Sequence, residues 1–218
     1  HHTNDRRQRQ MCIRDSVHNG QFNFEFMVPF DISYSDGFGK FSFYAFNDYN
    51  DAIGFLDSIN IFGINEDADF DNVGPKIELF MNNTDFTDGG ITGRDPVLMA
   101  LISDESGINT TGNGIGHDIS IILNNDSENY SILNRFFNSD LDSYQSGSVE
   151  YPFYDLNEGN HNLKLKAWDV YNNSNTAEIN FLVIDNPNLI IKNLYNYPNP
   201  FREFTKIHFE YNQPSDDL

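Results

Sequence analysis

The sequence predicts an all-β chain: an Ig-like β-sandwich with part of another β domain before it and a further short β unit after it. Three observations carry this. Apolar residues recur with a period of two in many short runs, as in half-buried strands. Turn-forming segments rich in Gly, Asn, Asp and Ser separate those runs, the spacing of a sandwich. Aromatic residues make up 15% of the chain, with 20 Phe and 11 Tyr. Such a composition favours strands over helices.

The elements follow in order. In residues 17–74, read as the end of a preceding β-rich domain, Phe22, Phe24, Phe26 and Val28 alternate with Asn23, Glu25 and Met27. A second alternating run, 40–46, follows the turn Ser35-Asp36-Gly37-Phe38-Gly39, and the two runs are expected to pair antiparallel. Residues 47–73 are polar and acidic, with apolar islands at 53–56 and 59–64. Gly74-Pro75 marks a boundary, since both residues interrupt regular structure. The sandwich is expected over 75–186, with strands at 76–81, 97–103, 117–124, 148–153, 162–168 and 176–184. Its best-defined pair places Leu163, Leu165 and Ala167 on one face and Ile179, Phe181 and Val183 on the facing strand, joined through the Asn-rich loop 169–175. Lys164, Lys166 and Trp168 take the opposite face, where the lysine stems can pack over the indole. Residues 130–146 read as one short helix or an irregular loop. Asp185-Asn186-Pro187 ends the sandwich, and a strand at 189–195 opens the last unit, 187–218.

The first sixteen residues stand apart. Residues 7–16 read as the translation of a sequencing-library adaptor fused to a genuine reading frame, and residues 1–16 are set aside from the fold as disordered. The one cysteine, Cys12, lies there, so the body is cysteine-free, which fits an exported protein that does without disulfides. A net charge of −20 repels nucleic acid and anionic membrane surfaces, so neither is expected as a partner. No apolar run is long enough for a membrane-spanning helix.

Three candidate sites can be weighed from residue types. Asp67, Asp69 and Asp71 alternate within an acidic run, and a D-x-D-x-D loop can give three oxygens to a hard cation such as calcium. The EF-hand pattern is not met, and a solvated acidic linker explains the run as well; no other cofactor is expected. The block Asp104-Glu105-Ser106-Gly107-Ile108-Asn109, continuing through Gly114 and Gly116 to His117 and Asp118, has several glycines but no lysine or arginine. Phosphate would be repelled, so the block reads as a long inter-strand loop. Nucleophilic catalysis finds no partners: there is no Gly-x-Ser-x-Gly elbow, no cysteine in the body, and the histidines are scattered. No catalytic residue is assigned.

Near the C-terminus, Tyr197-Pro198-Asn199-Pro200-Phe201 carries two prolines that fix φ and remove two donors, so it is expected to be an extended connector outside any sheet. This string resembles the opening of the C-terminal sorting domain of type IX secretion substrates. The block 104–118, residues 141–152 and the run 159–174, with Ala167-Trp168-Asp169, resemble the same order of segments in the PorU family, the type IX sortases related to gingipain-type cysteine peptidases. The resemblance runs from about residue 20 to 210 and implies a non-catalytic C-terminal portion whose catalytic Cys and His lie upstream, with the final sorting-type domain cut short. It further implies a cell-surface, outer-membrane-associated location on a Gram-negative bacterium, an outer-membrane partner of the PorV type, and cargo proteins as substrates of the parent enzyme. The competing reading is the accessory β-sandwich of a secreted adhesin or glycan-acting cargo protein, with Tyr130 or Tyr151 contacting sugar from exposed loops.

Overall fold

A computed structural model describes residues 13–29, 38–60, 71–111, 116–185 and 191–211. The architecture is all-β and sandwich-like, as the sequence predicts. The described residues fall into an N-terminal hairpin, a two-sheet sandwich and a C-terminal hairpin.

The N-terminal hairpin joins β1 (Gly39–Phe46) and β2 (Asp51–Ile59). Along β1, half-buried and exposed residues alternate strictly, the period of a strand with one covered face. Here the structure corrects the expected pairing: β1 pairs antiparallel with β2, not with the run at 22–28. Phe22, Phe24 and Phe26 instead lay their rings over the inner face of β1. Phe24 meets Phe41 and Phe43 at centroid distances of 5.6 and 5.9 Å, and Phe26 meets Phe41 at 5.6 Å. β2 was hidden in the sequence because Gly54, Asp57 and Ser58 break its alternation.

Two sheets form the described sandwich. One contains β3 (Lys76–Met81), β5 (Val97–Ser103), β9 (Ser146–Pro152) and β8 (Phe137–Ser139), in the order β3-β5-β9-β8. The other contains β4 (Gly90–Thr92), β11 (Ser174–Val183), β10 (Gly159–Trp168), β6 (Ser120–Leu123) and β7 (Tyr130–Ile132), in the order β4-β11-β10-β6-β7. Among the described strands, β4 alone runs parallel to its neighbour, β11. The long pair β10–β11 keeps register from Gly159↔Val183 to Trp168↔Ser174 without a bulge. The segment at 130–146, read as helix or loop, is two short strands and a single 3₁₀ turn, Asn134–Phe136.

Met81, Leu98, Ala100, Ile102 and Val149 from one sheet meet Ile121, Leu163, Leu165, Ala167, Ile179, Phe181 and Val183 from the other in one core. Each large apolar side chain buried here contributes about 1.5–3 kcal/mol. The outer face of β10 is polar: Lys164 pairs with Glu178 at 2.9 Å, and Lys166 sits 4.1 Å from the Trp168 ring. His161 is a core residue, 8% exposed, stacked at 5.3 Å on Phe181.

The C-terminal hairpin pairs β12 (Ile191–Tyr197) with β13 (Lys206–Tyr211). The proline motif is therefore the bend between two paired strands rather than an extended connector. Tyr197 is the last residue of β12, paired with Lys206, and the bend is tied by Thr205 Oγ1 donating to the Pro198 carbonyl at 2.9 Å.

Candidate functional site

Asp71, Asp104 and Asp169 converge as a group of three among the described residues. They come from three chain segments at one end of the sandwich: the linker before β3, the loop after β5, and the turn after β10. Because β3 and β5 are antiparallel with Lys76 opposite Ser103, the entry to β3 and the exit from β5 are neighbours. A bridge between Ile108 and Asp169, with Asn109 N–H donating to the Trp168 carbonyl at 2.9 Å, brings the end of β10 to the same place.

One carboxylate oxygen from each aspartate lies within 4.8 Å of the other two. Oxygens bound to one calcium ion at about 2.3–2.6 Å lie no more than about 5 Å apart, so the spacing suits a hard cation. Three carboxylates supply part of the six to eight oxygens such an ion takes. The same proximity also lets the group hold a shared proton.

The hydrogen bonds set the charge of each member. The Ser106 hydroxyl donates to Asp71 Oδ2, and Val73 N–H donates to Oδ1 at 2.9 Å. These donors hold the Asp71 carboxyl below its usual value. Asp104 accepts from Ser106 N–H at 2.8 Å, yet burial, with the charges of Asp169 and Asp71 beside it, pushes its carboxyl up to about 6. Asp169, 0% exposed, is raised chiefly by burial; Asn173 opposes this by donating its N–H and its side-chain amide, each at 2.7 Å. Asn173 also donates from its side chain to the Asp71 carbonyl at 3.2 Å, which ties the linker to the β10–β11 turn.

Of the acidic triplet singled out in the sequence, Asp71 is in this cluster, while Asp67 and Asp69 lie outside the described residues. The block 104–118 supplies Asp104 and its surroundings. Gly107 adopts φ +109°, and a Cβ there would meet Tyr144 Cδ2 at 2.7 Å. Ile108 is 4% exposed and Asn109 is 0% exposed. The Glu105 carbonyl accepts from the Gln145 side chain, and the His117 ring lies 4.2 Å from Trp168. Gly116 has φ +89°, Asp118 is half-buried, and Gly114 lies outside the described residues. Sequence reasoning missed Asp169 as a partner of Asp71. The available clue was that an aspartate flanks each of three strand ends.

Tyr197, Pro198, Asn199, Pro200 and Phe201 take no part in this cluster. Tyr197 and Phe201 are exposed, by 70% and 54%. Tyr151, expected in an exposed loop, lies in β9 and packs its ring against Phe136 and Phe153 at 5.0 and 5.2 Å. A shallow cleft of about 250 Å³ is lined by Lys76, Glu78, Ser103 and Asp140 among others, with Ser146 Oγ donating to Asp140 at 2.6 Å.

Comparison with solved structures finds a similar protein. The structure of dimeric latent PorU from Porphyromonas gingivalis matches with 32% sequence identity and a TM-score of 0.53. The match covers 88% of this chain and 18% of that one, so this chain spans under a fifth of that protein's length. No family model matches the sequence, and no curated protein matches it significantly. The likeness extends over nearly the whole chain. No described helix is long and apolar enough to cross a membrane.

Proposed function

We propose that this chain is the C-terminal, non-catalytic part of a PorU-type sortase of type IX secretion. The observation that carries the reading is the 32% identity to PorU sustained over 88% of the chain. The order of the distinctive segments supports it: the linker at Gly74-Pro75, the 104–118 loop, the Ala167-Trp168-Asp169 strand end and the Tyr197–Phe201 bend. On this reading the parent protein is a cell-surface cysteine peptidase that removes sorting domains from cargo and attaches the cargo to lipopolysaccharide. It works with an outer-membrane partner of the PorV type, and the described sandwich braces the peptidase portion. The carboxylate cluster then has a structural task, fixing the linker before β3 against the turn after β10.

The intact gene decides this reading. Its upstream reading frame is expected to encode a peptidase domain with a Cys–His pair, and its product to cleave a sorting-domain peptide that the 218-residue chain leaves intact. A different enzyme upstream, or no peptidase, overturns it. The reading as an adhesin or glycan-acting accessory sandwich keeps Tyr130 as a sugar contact, 43% exposed though in β7 rather than in a loop, but loses Tyr151 to the packing of β9.

A further inference from the structure

The hairpin β1–β2 has two unlike faces. On β1 its inner face is covered by Phe22, Phe24 and Phe26, while Leu56 on β2, opposite Phe41, is 48% exposed. Its outer face carries Tyr44, Phe46, Ile53 and Phe55, exposed by 63%, 77%, 82% and 65%. Register makes these one patch: Tyr44 stands opposite Ile53 and Ser42 opposite Phe55, and the Tyr44 and Phe46 rings stack at 5.8 Å. A contiguous group of large apolar side chains left in water marks a contact surface.

We propose that this outer face docks against a segment of the longer polypeptide that precedes Val17, one presenting an apolar β surface. The proposal rests on the reading of the chain as part of a PorU-type protein. Three observations choose that occupant. The sheet has two strands among the described residues, and a two-stranded hairpin is marginal in water until a further strand or face covers it. Apolar residues on both faces of a strand pair are the pattern of strands buried on both sides. The matched PorU chain has more than four-fifths of its length outside the matched region, so a covering segment would be tethered nearby at high effective concentration.

A second copy is the rival occupant, since the matched PorU structure is dimeric. Each chain carries −20, which opposes self-association without forbidding it, so the choice of occupant rests on the tether and on the footprinting test. The patch itself carries few charges: Lys40, 4.7 Å from the Phe55 ring, and Asp51, opposite Phe46, with Asp57 continuing the same face of β2. An apolar segment of the same polypeptide meets little electrostatic resistance there.

Hydroxyl-radical footprinting tests this on two proteins, the 218-residue chain and the intact product of the natural gene. In the short chain Tyr44, Phe46 and Phe55 are expected to label readily. In the intact protein that labelling is expected to be lost, down to the level of Phe181, which is 2% exposed. Ile53→Glu in the intact protein is expected to restore labelling of Tyr44 and Phe46, while leaving the melting midpoint of the short chain unchanged. Equal labelling in the two proteins overturns the proposal. So does protection in the short chain that grows with its concentration, which would assign the face to a second copy. Lost labelling in an intact protein with no peptidase domain would uphold the docking and refute the sortase reading.

Discussion

At Asp104, burial works against ionisation, and the neighbouring charges of Asp169 and Asp71 add to it. The folded protein therefore holds this proton up to about pH 6, against 3.8 for an unperturbed aspartate. A raised value means that the stabilisation is complete below about pH 4 and lost as pH rises through about 6. Asp169 is raised too and acts with the same sign. Asp71 is lowered and acts oppositely, its contribution being lost as the pH falls. Asp104→Asn keeps an acceptor for Ser106 N–H and removes the charge. Urea unfolding of this variant is expected to show a flatter stability profile between about pH 4 and about pH 6, and a gain on the order of 1 kcal/mol at about pH 7 after screening. An unchanged slope would mean that Asp104 is ionised normally. Gly107 is the other residue here whose identity the backbone dictates. Its φ is +109°, and the Tyr144 ring would lie 2.7 Å from a Cβ. Gly107→Ala is therefore expected to cost about 1–3 kcal/mol, read from the same denaturation curves.

At the scale of elements, the two sheets and the linker are held in different ways. Phe181 on β11 fills the core, so Phe181→Ala is expected to cost about 3–5 kcal/mol. Tyr154, by contrast, is 75% exposed. Tyr154→Ala is expected to change stability by no more than about 0.5 kcal/mol. The linker is held by close backbone approach: a Cβ on Gly74 would lie 2.5 Å from the Ser174 carbonyl carbon and 2.6 Å from its oxygen. Backbone cannot turn aside as a side chain does. Gly74→Ala is therefore expected to cost about 1–3 kcal/mol by forcing the linker off the β10–β11 turn. Gly54→Ala, with nothing near its Cβ, is expected to be neutral. Chemical denaturation of the pair checks this. The same elements show what the sequence made legible. Strands whose burial alternates, β5, β10 and β11, could be read almost to the residue, because one buried face forces alternation; β3, without that alternation, was marked by the Gly74-Pro75 boundary before it. β4 could not, since three residues pairing in parallel with β11 leave no periodic trace. The strand at 22–28 was misread because Phe22, Phe24 and Phe26 alternate for ring packing, which the backbone does not need to share. The site was half legible: Asp71 and Asp104 stood in motifs, but their meeting with Asp169 depends on long-range register that no local pattern encodes.

At the scale of the whole molecule, electrostatics are set by 33 acidic residues against 13 basic ones. Ion pairs offset little of this. Among the described residues the basic partners are Arg94, between Asp155 and Asp185, Lys164 with Glu178, and Lys76 with Glu78. All are at least partly solvated, where a pair contributes little. Repulsion among the remaining carboxylates thus outweighs attraction, and a compact chain with net charge far from zero is destabilised by its own field. Screening acts over about 10 Å at about 0.1 M salt, a distance comparable to the spacing of surface carboxylates. Raising sodium chloride from roughly 0.01 M to roughly 0.1 M is therefore expected to raise the thermal midpoint. Asp104→Asn, which removes one of three crowded carboxylates, is expected to reduce that salt response at neutral pH and leave it unchanged where Asp104 is already protonated. A midpoint that falls with salt would mean that the paired cations dominate the field, and that the acidic excess is spaced too widely to strain the fold.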